Sequence, residues 1–354
     1  MRPTAVALTP GLRLDYAAGM GSAVAGVGEV LVIDGRTVEA LLPLADCIEL
    51  MARTMAAVSR GAAELPLRTV MRLPESGNLL GLMPGYLADP AGLGVKIVSI
   101  FPGNAARGLP SHLGAVVMFE PETGRPVALI DAASVTAIRT AAASAAATQV
   151  LARADAGDLA ILGAGEQASR HLDAMALVRR LRRVRLWNRS RDRAAALAEA
   201  AAPRLGLAIE VADSVEQAVA GADLICTTTG TVNPLLHGRW IADGAHINLV
   251  GFTVGGPGEA DTDTVVRARY FADVRPAALA AAGELKQAIA SGRVSEAHLL
   301  GEIGEVIAGT FPGRSGPDEV TIYRSLGSAA QDIAAGTAVY ERAKAAAMGI
   351  AAPF

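Results

Sequence analysis

The sequence predicts an α/β protein with a Rossmann-type, doubly wound parallel sheet and a smaller, discontinuous α+β unit. Three observations carry that reading. Beyond Asp131, short apolar strands alternate with segments of helical period, the pattern of βαβ units. The run Gly163-Ala164-Gly165-Glu166-Gln167-Ala168 stands where an apolar strand gives way to a helix. Residues 65–131 hold only short strands punctuated by turn signals, which favours antiparallel pairing. A chain of 354 residues is natural for two units, at ~100–200 residues each.

Taken in order, residues 1–29 read as an N-terminal extension, interrupted by Pro3 and Pro10, with Met20 a candidate internal start. The apolar stretch Tyr16–Ile33 contains Gly19, Gly21, Gly26, Gly28 and Glu29. It is therefore expected not to cross a membrane, which takes ~20 uninterrupted apolar residues. Val30–Ile33 is a strand closed by Asp34-Gly35. Thr37–Ser59 carries Leu41, Leu44, Ile48, Met51, Met55 and Val58 at helical spacing, broken by Pro43. Strands are expected at Leu67–Leu73, Asn78–Met83, Val95–Phe101, Ala115–Glu120 and Val127–Asp131, the last two joined by the turn Glu122-Thr123-Gly124. Ser134–Arg153 is an alanine-rich helix.

The strands Leu159–Leu162, Val184–Trp187, Ala208–Val211, Leu224–Thr227, Ile247–Val250 and Tyr270–Ala272 then alternate with helices. Asp213-Ser-Val-Glu216 resembles a capping box. Glu319–Met348 reads as a strand and a long helix that return to the first unit. The expected units are thus 30–133 plus 319–354 for substrate and dimerisation, and 134–318 for a dinucleotide.

Composition narrows the function. Half the residues are hydrophobic (51%) and only 4% aromatic, so alanine and glycine must fill the cores. A net charge of −3 excludes a globally basic nucleic-acid binder. Cys47 and Cys226 are too few for a disulfide framework or zinc site, which fits a reducing, cytoplasmic setting. No His, Cys or Asp cluster has metal-ligand spacing, so no metal is expected.

The glycine run assigns the cofactor class. Gly163 permits a tight turn, Gly165 lets the backbone approach a pyrophosphate, and Ala168 keeps helix and strand close. The end of the second strand assigns the cofactor type. An NAD site usually carries Asp or Glu there, but this chain has Asn188, followed by Arg189, Ser190, Arg191 and Arg193. Asn188 does not repel a 2′-phosphate and the arginines attract one, so NADPH is expected rather than NADH. A solvated basic helix start is the competing reading. Arg139, in an otherwise small and apolar helix, needs an anion; pyrophosphate and an internal acid are equal candidates. Lys96 interrupts an apolar strand and shares a face with Val98 and Ile100, which favours a cleft, where its pKa would be lowered, over bulk solvent; an edge-strand solubility lysine is the competing reading. Arg68 is a possible carboxylate clamp. His246 reads as structural; His298 is a weaker candidate for facing the pocket.

Phe101-Pro-Gly-Asn104 through Gly108-Leu-Pro-Ser111-His112, Ile138-Arg139-Thr140 through Ser144, Ile161–Gly165, Trp187-Asn188-Arg189-Ser190 and Ala245–Gly251 occur in one order. Together they resemble the ornithine cyclodeaminase/mu-crystallin family over about residues 30 to 345. The Trp-Asn-Arg and Leu-Pro-Ser-His segments are closer to its mu-crystallin ketimine reductases than to its cyclodeaminases. The resemblance implies that Arg68 holds the substrate carboxylate and Lys96 contacts substrate as the catalytic group. It implies cofactor contacts for Ser111, His112, Arg139 and Thr140, for Gly163–Gln167, and for Thr229, Val250 and Ser325. Substrate would also touch Thr253, Ser325 and Leu326. Thr253 stands where cyclodeaminases carry an acid/base aspartate, and Glu259 where they carry a lysine near the cofactor. The expectation is a homodimeric NADPH-dependent reductase of small 2-imino carboxylates. The alternatives are an alanine-type dehydrogenase, an ammonia lyase of the cyclodeaminase type, and a non-enzymatic NADPH and small-ligand binder.

Overall fold

A computed structural model describes residues 28–74, 76–231, 233–251 and 256–354. The extension expected at 1–29 lies, up to residue 27, outside the described residues, and so does Thr253.

The first unit opens with β1 (Glu29–Ile33) and α1 (Gly35–Leu41), whose N-terminus is capped by Asp34 accepting from the Thr37 N–H at 2.9 Å. Pro43 ends that helix and starts α2 (Leu44–Ser59), because its ring fits a helix entry and not an interior. Next come β2 (Ala63–Glu64), β3 (Thr69–Arg72), β4 (Leu79–Ala88), β5 (Ala91–Ile100), β6 (His112–Phe119) and β7 (Pro126–Asp131). They form one sheet with β1 and the last strand, β16 (Ile350–Pro353), in the order β16-β1-β7-β6-β5-β4-β2, with β3 also on β4. Pairing is antiparallel except between β1 and β7, which run parallel.

Asp131 accepts from the Ser134 N–H at 2.7 Å and starts α3 (Ala132–Leu151). Fifteen of its twenty residues are buried. A helix hidden on nearly every side needs small residues throughout, and alanine lets α2 and α4 (Glu166–Val178) pack close on it. α3 also touches β6, β12 (His246–Leu249) and β15 (Val320–Arg324), so it forms the seam between the two sheets.

The second sheet is wholly parallel. Besides β12 and β15 it contains β8 (Asp158–Leu162), β9 (Arg183–Trp187), β10 (Ile209–Val211), β11 (Leu224–Thr227), β13 (Ala268–Ala272) and β14 (Leu299–Glu302). Their order is β10-β9-β8-β11-β12-β15-β13-β14. Helices α5 (Arg191–Leu205), α6 (Val215–Val219), α7 (Thr262–Arg267), α8 (Arg275–Ala281), α9 (Gly283–Ala290) and α10 (Ile303–Ile307) fill the connections. β8, β11, β12 and β15 are buried along nearly their whole length because a parallel sheet is covered on both faces.

Two expectations are corrected. The strand after Glu319, expected with the first unit, is β15 and pairs with β12 and β13 inside the parallel sheet. All five of its residues are buried, which an edge of the first sheet would not allow. The chain returns to the first unit only afterwards, as α11 (Ala329–Ala346), which lies on β4, β5 and β6. Gly92 and Gly94 make that approach possible: a Cβ there would stand 2.7 Å and 3.4 Å from Ile333. The expected capping box is replaced by a simple cap one residue later. Ser214, not Asp213, caps α6 by accepting from the Gln217 N–H at 3.0 Å.

α11 covers one face of the first sheet. On the other, Leu82, Tyr86, Leu113 and Leu129 are each more than a third exposed, beside the partly exposed Leu80, Leu93 and Ile97.

The seam is sensitive to volume. Ala142→Leu in α3 is expected to destabilise the fold by ~1–3 kcal/mol through overpacking. Chemical denaturation reads the difference, and an unchanged midpoint would show that α3 is looser than its burial implies.

Candidate active site

A cavity of about 620 Å³ lies between the two sheets, with α3 along one side. Strand alternation on β5 turns Lys96, Val98 and Ile100 into it, as the sequence requires. Arg68 enters from the segment before β3. Arg139 and Thr140 enter from α3, Ser111 and His112 from the start of β6 and its approach, and Ser325 and Leu326 from the loop after β15.

Lys96 is buried, and its Nζ lies 2.7 Å from Asp332 Oδ2 and 3.5 Å from Thr136 Oγ1. Burial pushes its pKa down to about 8; Asp332 opposes that fall and Arg139 adds to it. Arg139 has taken the internal acid of the two candidate anions: its Nε donates to Asp332 Oδ1 at 2.9 Å and its Nη1 to Gln331 Oε1 at 2.8 Å. Burial alone would raise the Asp332 carboxyl, but Arg139 and Lys96 outweigh it and hold it below the usual carboxylate range.

Arg68 is held by backbone. Its Nη2 donates to the carbonyls of Leu326 at 2.8 Å and Gly327 at 2.7 Å. That loop is in turn fixed by Asp273, which accepts from the N–H groups of Leu326 and Gly327, both at 2.7 Å. Asp273 also accepts from the Tyr323 hydroxyl and, at 3.0 Å, from Gln331 Nε2. One buried network thus sets all three cations. Asp273, Gln331 and Asp332 were missed at the level of sequence. The available signal was a pair of polar residues, Gln331-Asp332, in the otherwise apolar first turns of an alanine-rich helix.

The dinucleotide side is built from strand ends. Gly163 has φ +125°, and a Cβ there would lie 2.9 Å from the Thr228 carbonyl, so only glycine makes this turn. Ala164 follows. Gly165 is the N-cap of α4, no side chain caps it, and a Cβ there would meet nothing within 4 Å. The first N–H groups of α4 are thereby left to a ligand. Glu166 and Gln167 line the cavity; Gln167 Nε2 donates to Thr136 O at 3.3 Å, while its Oε1 is buried with no partner among the described residues. An open cradle, free helix N–H groups and an orphaned acceptor fit a bound dinucleotide.

Thr229 and Val250 line the cavity at the ends of β11 and β12. Behind them Glu259 accepts from Thr227 Oγ1 at 2.5 Å, from the Thr229 N–H at 2.7 Å and hydroxyl at 2.6 Å, and from the Gly251 N–H at 2.7 Å. Burial raises its pKa. Glu259 therefore ties two strand ends together and does not itself line the cavity.

Asn188, Arg189, Ser190 and Arg193 lie beyond the cavity, at the end of β9 and the start of α5. Asn188 Nδ2 donates to the Ser190 carbonyl at 3.0 Å, and Ser190 Oγ caps the Arg193 N–H at 3.5 Å. Arg189 and Arg193 are exposed, whereas Arg191 pairs with Asp213. His298 does not face the cavity: its Nε2 meets the Val265 carbonyl at 2.7 Å. His246 is buried in β12 with Nδ1 2.9 Å from Thr321 Oγ1, and burial pushes its pKa to about 3, as a structural histidine.

Known proteins are similar to this chain in sequence and in fold. Mouse ketimine reductase mu-crystallin is 36% identical over 281 residues, covering 79% of this chain and 86% of that protein. The Thermococcus litoralis Delta(1)-pyrroline-2-carboxylate reductase, solved with NADH and L-proline, superimposes with a TM-score of 0.89 at 32% identity, covering 91% of this chain and 99% of that one. An archaeal alanine dehydrogenase dimer with bound NAD gives 0.86 at 30% identity, covering 92% and 99%. Residues 29–347 match the profile of the family that the ordered motifs resemble. The chain therefore belongs to the ornithine cyclodeaminase/mu-crystallin family; relatives that match it include imine reductases, an alanine dehydrogenase and a lysine cyclodeaminase.

Proposed function

We propose that this protein is an NADPH-dependent reductase of C=N bonds in small 2-imino carboxylates. The observation that carries the reading is a buried ammonium, Lys96, in a cleft with Arg68 and Arg139, beside the glycine turn that opens α4. Arg68 orients the substrate carboxylate, with its guanidinium braced by two carbonyls. Fixing the substrate in one orientation in this way would supply much of the rate. Bound NADPH supplies the hydride for the imine carbon. Lys96 donates a proton to the imine nitrogen and regains one from solvent, a role that suits a pKa near neutrality. Val70, Leu79, Met83, Val98 and Ile100 line the substrate side, so the reading favours an aliphatic side chain or ring over a second ammonium group. Thr253, where the resemblance implies an aspartate in cyclodeaminases, supports hydride transfer over ammonia elimination.

NADPH is favoured because Asn188 brings no negative charge to the end of β9 and Arg189 and Arg193 stand exposed beside it. A homodimer is favoured because the uncovered face of the first sheet is apolar over several strands.

Turnover of a panel of cyclic and linear 2-imino acids, followed by NADPH absorbance, tests the activity. Lys96→Ala is expected to lower kcat by about 10²-fold or more while NADPH affinity stays within a few-fold. Wild-type turnover in that variant removes Lys96 from the chemistry. In the wild type, kcat should fall as pH rises through about 8, because Lys96 then loses the proton it must donate. Asn188→Asp is expected to weaken NADPH binding by about tenfold or more and spare NADH, since a carboxylate would face the 2′-phosphate. Equal effects on both nucleotides would place that phosphate elsewhere. Leu82→Glu with Tyr86→Glu should convert a dimer to monomer in sedimentation; an unaltered dimer would assign the interface to another face.

A further inference from the structure

We infer that Asp332 is a positioning residue for the reaction, one whose carboxylate holds the Lys96 ammonium in place and keeps it charged inside the cleft. The inference rests on the reductase reading for its mechanistic meaning, but its physical content can be measured without turnover.

The geometry is specific. Asp332 lies on α11 and is fully buried. Its Oδ2 stands 2.7 Å from Lys96 Nζ on β5, and its Oδ1 accepts from Arg139 Nε on α3 at 2.9 Å. Its neighbour Gln331 accepts from Arg139 and donates to Asp273, so the segment of α11 that carries the acid is tied to the second sheet. A bidentate carboxylate between two cations on different elements has no rotational freedom left. Lys96 cannot then swing towards an incoming anion, and its ammonium stays at a set depth in the cavity.

Charge gives the second half of the argument. The groups that face Lys96 are Asp332, Arg139, Arg68 and, at the mouth, His112. Burial and both arginines favour the neutral amine; Asp332 is the group that opposes them. Without it, Lys96 and Arg139 would lose the carboxylate they share, and burial and the two arginines would drive Lys96 towards its neutral form. An ion pair serving only to join α11 to α3 would be complete with Arg139 alone. The bond to Lys96 links that scaffold to the group that the mechanism uses.

The chain has three lysines, Lys96, Lys286 and Lys344, and the last two are exposed. Carbon-13 labelling of lysine therefore resolves each ammonium by NMR titration of the full-length protein. In Asp332→Asn the Lys96 titration is expected to move down by a pH unit or more, with Lys286 and Lys344 unmoved. The alkaline limb of kcat should move with it, and kcat at pH 7 should fall at least tenfold while the NADPH dissociation constant stays within threefold. An unmoved Lys96 titration overturns the inference, and so does a loss of kcat with no shift in the limb. Asp332→Glu guards against a variant that fails to fold. It keeps the charge and displaces it, so the Lys96 titration should stay within half a unit of wild type while kcat falls; full activity would refute a positioning role. Wild-type turnover in Lys96→Ala instead removes the proposed mechanism and leaves the titration result standing.

Discussion

A single buried carboxylate, Asp332, holds two cations that come from different parts of the chain. Buried charges are tolerated when they are paired and hydrogen-bonded; here Arg139 and Lys96 stabilise the Asp332 carboxylate, and Asp332 stabilises the Lys96 ammonium. The placement of three elements follows from that requirement. β5 must bring Lys96 to the cleft, α3 must bring Arg139, and α11 must lie across both. Glycines on β5 and alanines on α3 let these elements come close enough for the pairing to form.

The same logic recurs around the cavity. Asp273 fixes the loop after β15, and that loop offers the carbonyls that brace Arg68. Glu259 fixes the ends of β11 and β12, and those ends line the dinucleotide side. Each buried acid lies behind the surface that meets ligand and orients what does. Such support keeps the ligand-facing groups in one geometry before ligand arrives, which lowers the cost of organising them later. The parallel sheet provides the rest, because its strand ends converge on a single edge where a helix N-terminus stands free.

Much of the fold was legible in the sequence because local rules suffice for it. Pro43 divides α1 from α2, the apolar runs of β8, β9, β11 and β12 mark buried strands, and the glycine turn after β8 can be made by little else. The side to which Lys96 points also follows from two-residue alternation. β14, β16 and the short helices α7 to α10 were not visible, since a few residues without a clear period leave no pattern to read. β15 was placed in the wrong sheet because a buried apolar strand does not announce its neighbours.

The sequence by itself determined the long elements, the dinucleotide turn, the face of β5 that carries Lys96, and the presence of a cation, Arg139, in a small and apolar helix. Those properties depend on residues within a few positions of one another. Only the tertiary structure decided which anion answers Arg139, that the same anion reaches Lys96, and that Glu259 works behind the strand ends. Those pairings join residues far apart in sequence: 193 positions separate Arg139 from Asp332. No local periodicity records such a distance; the packing of α11 across the first sheet creates the contact.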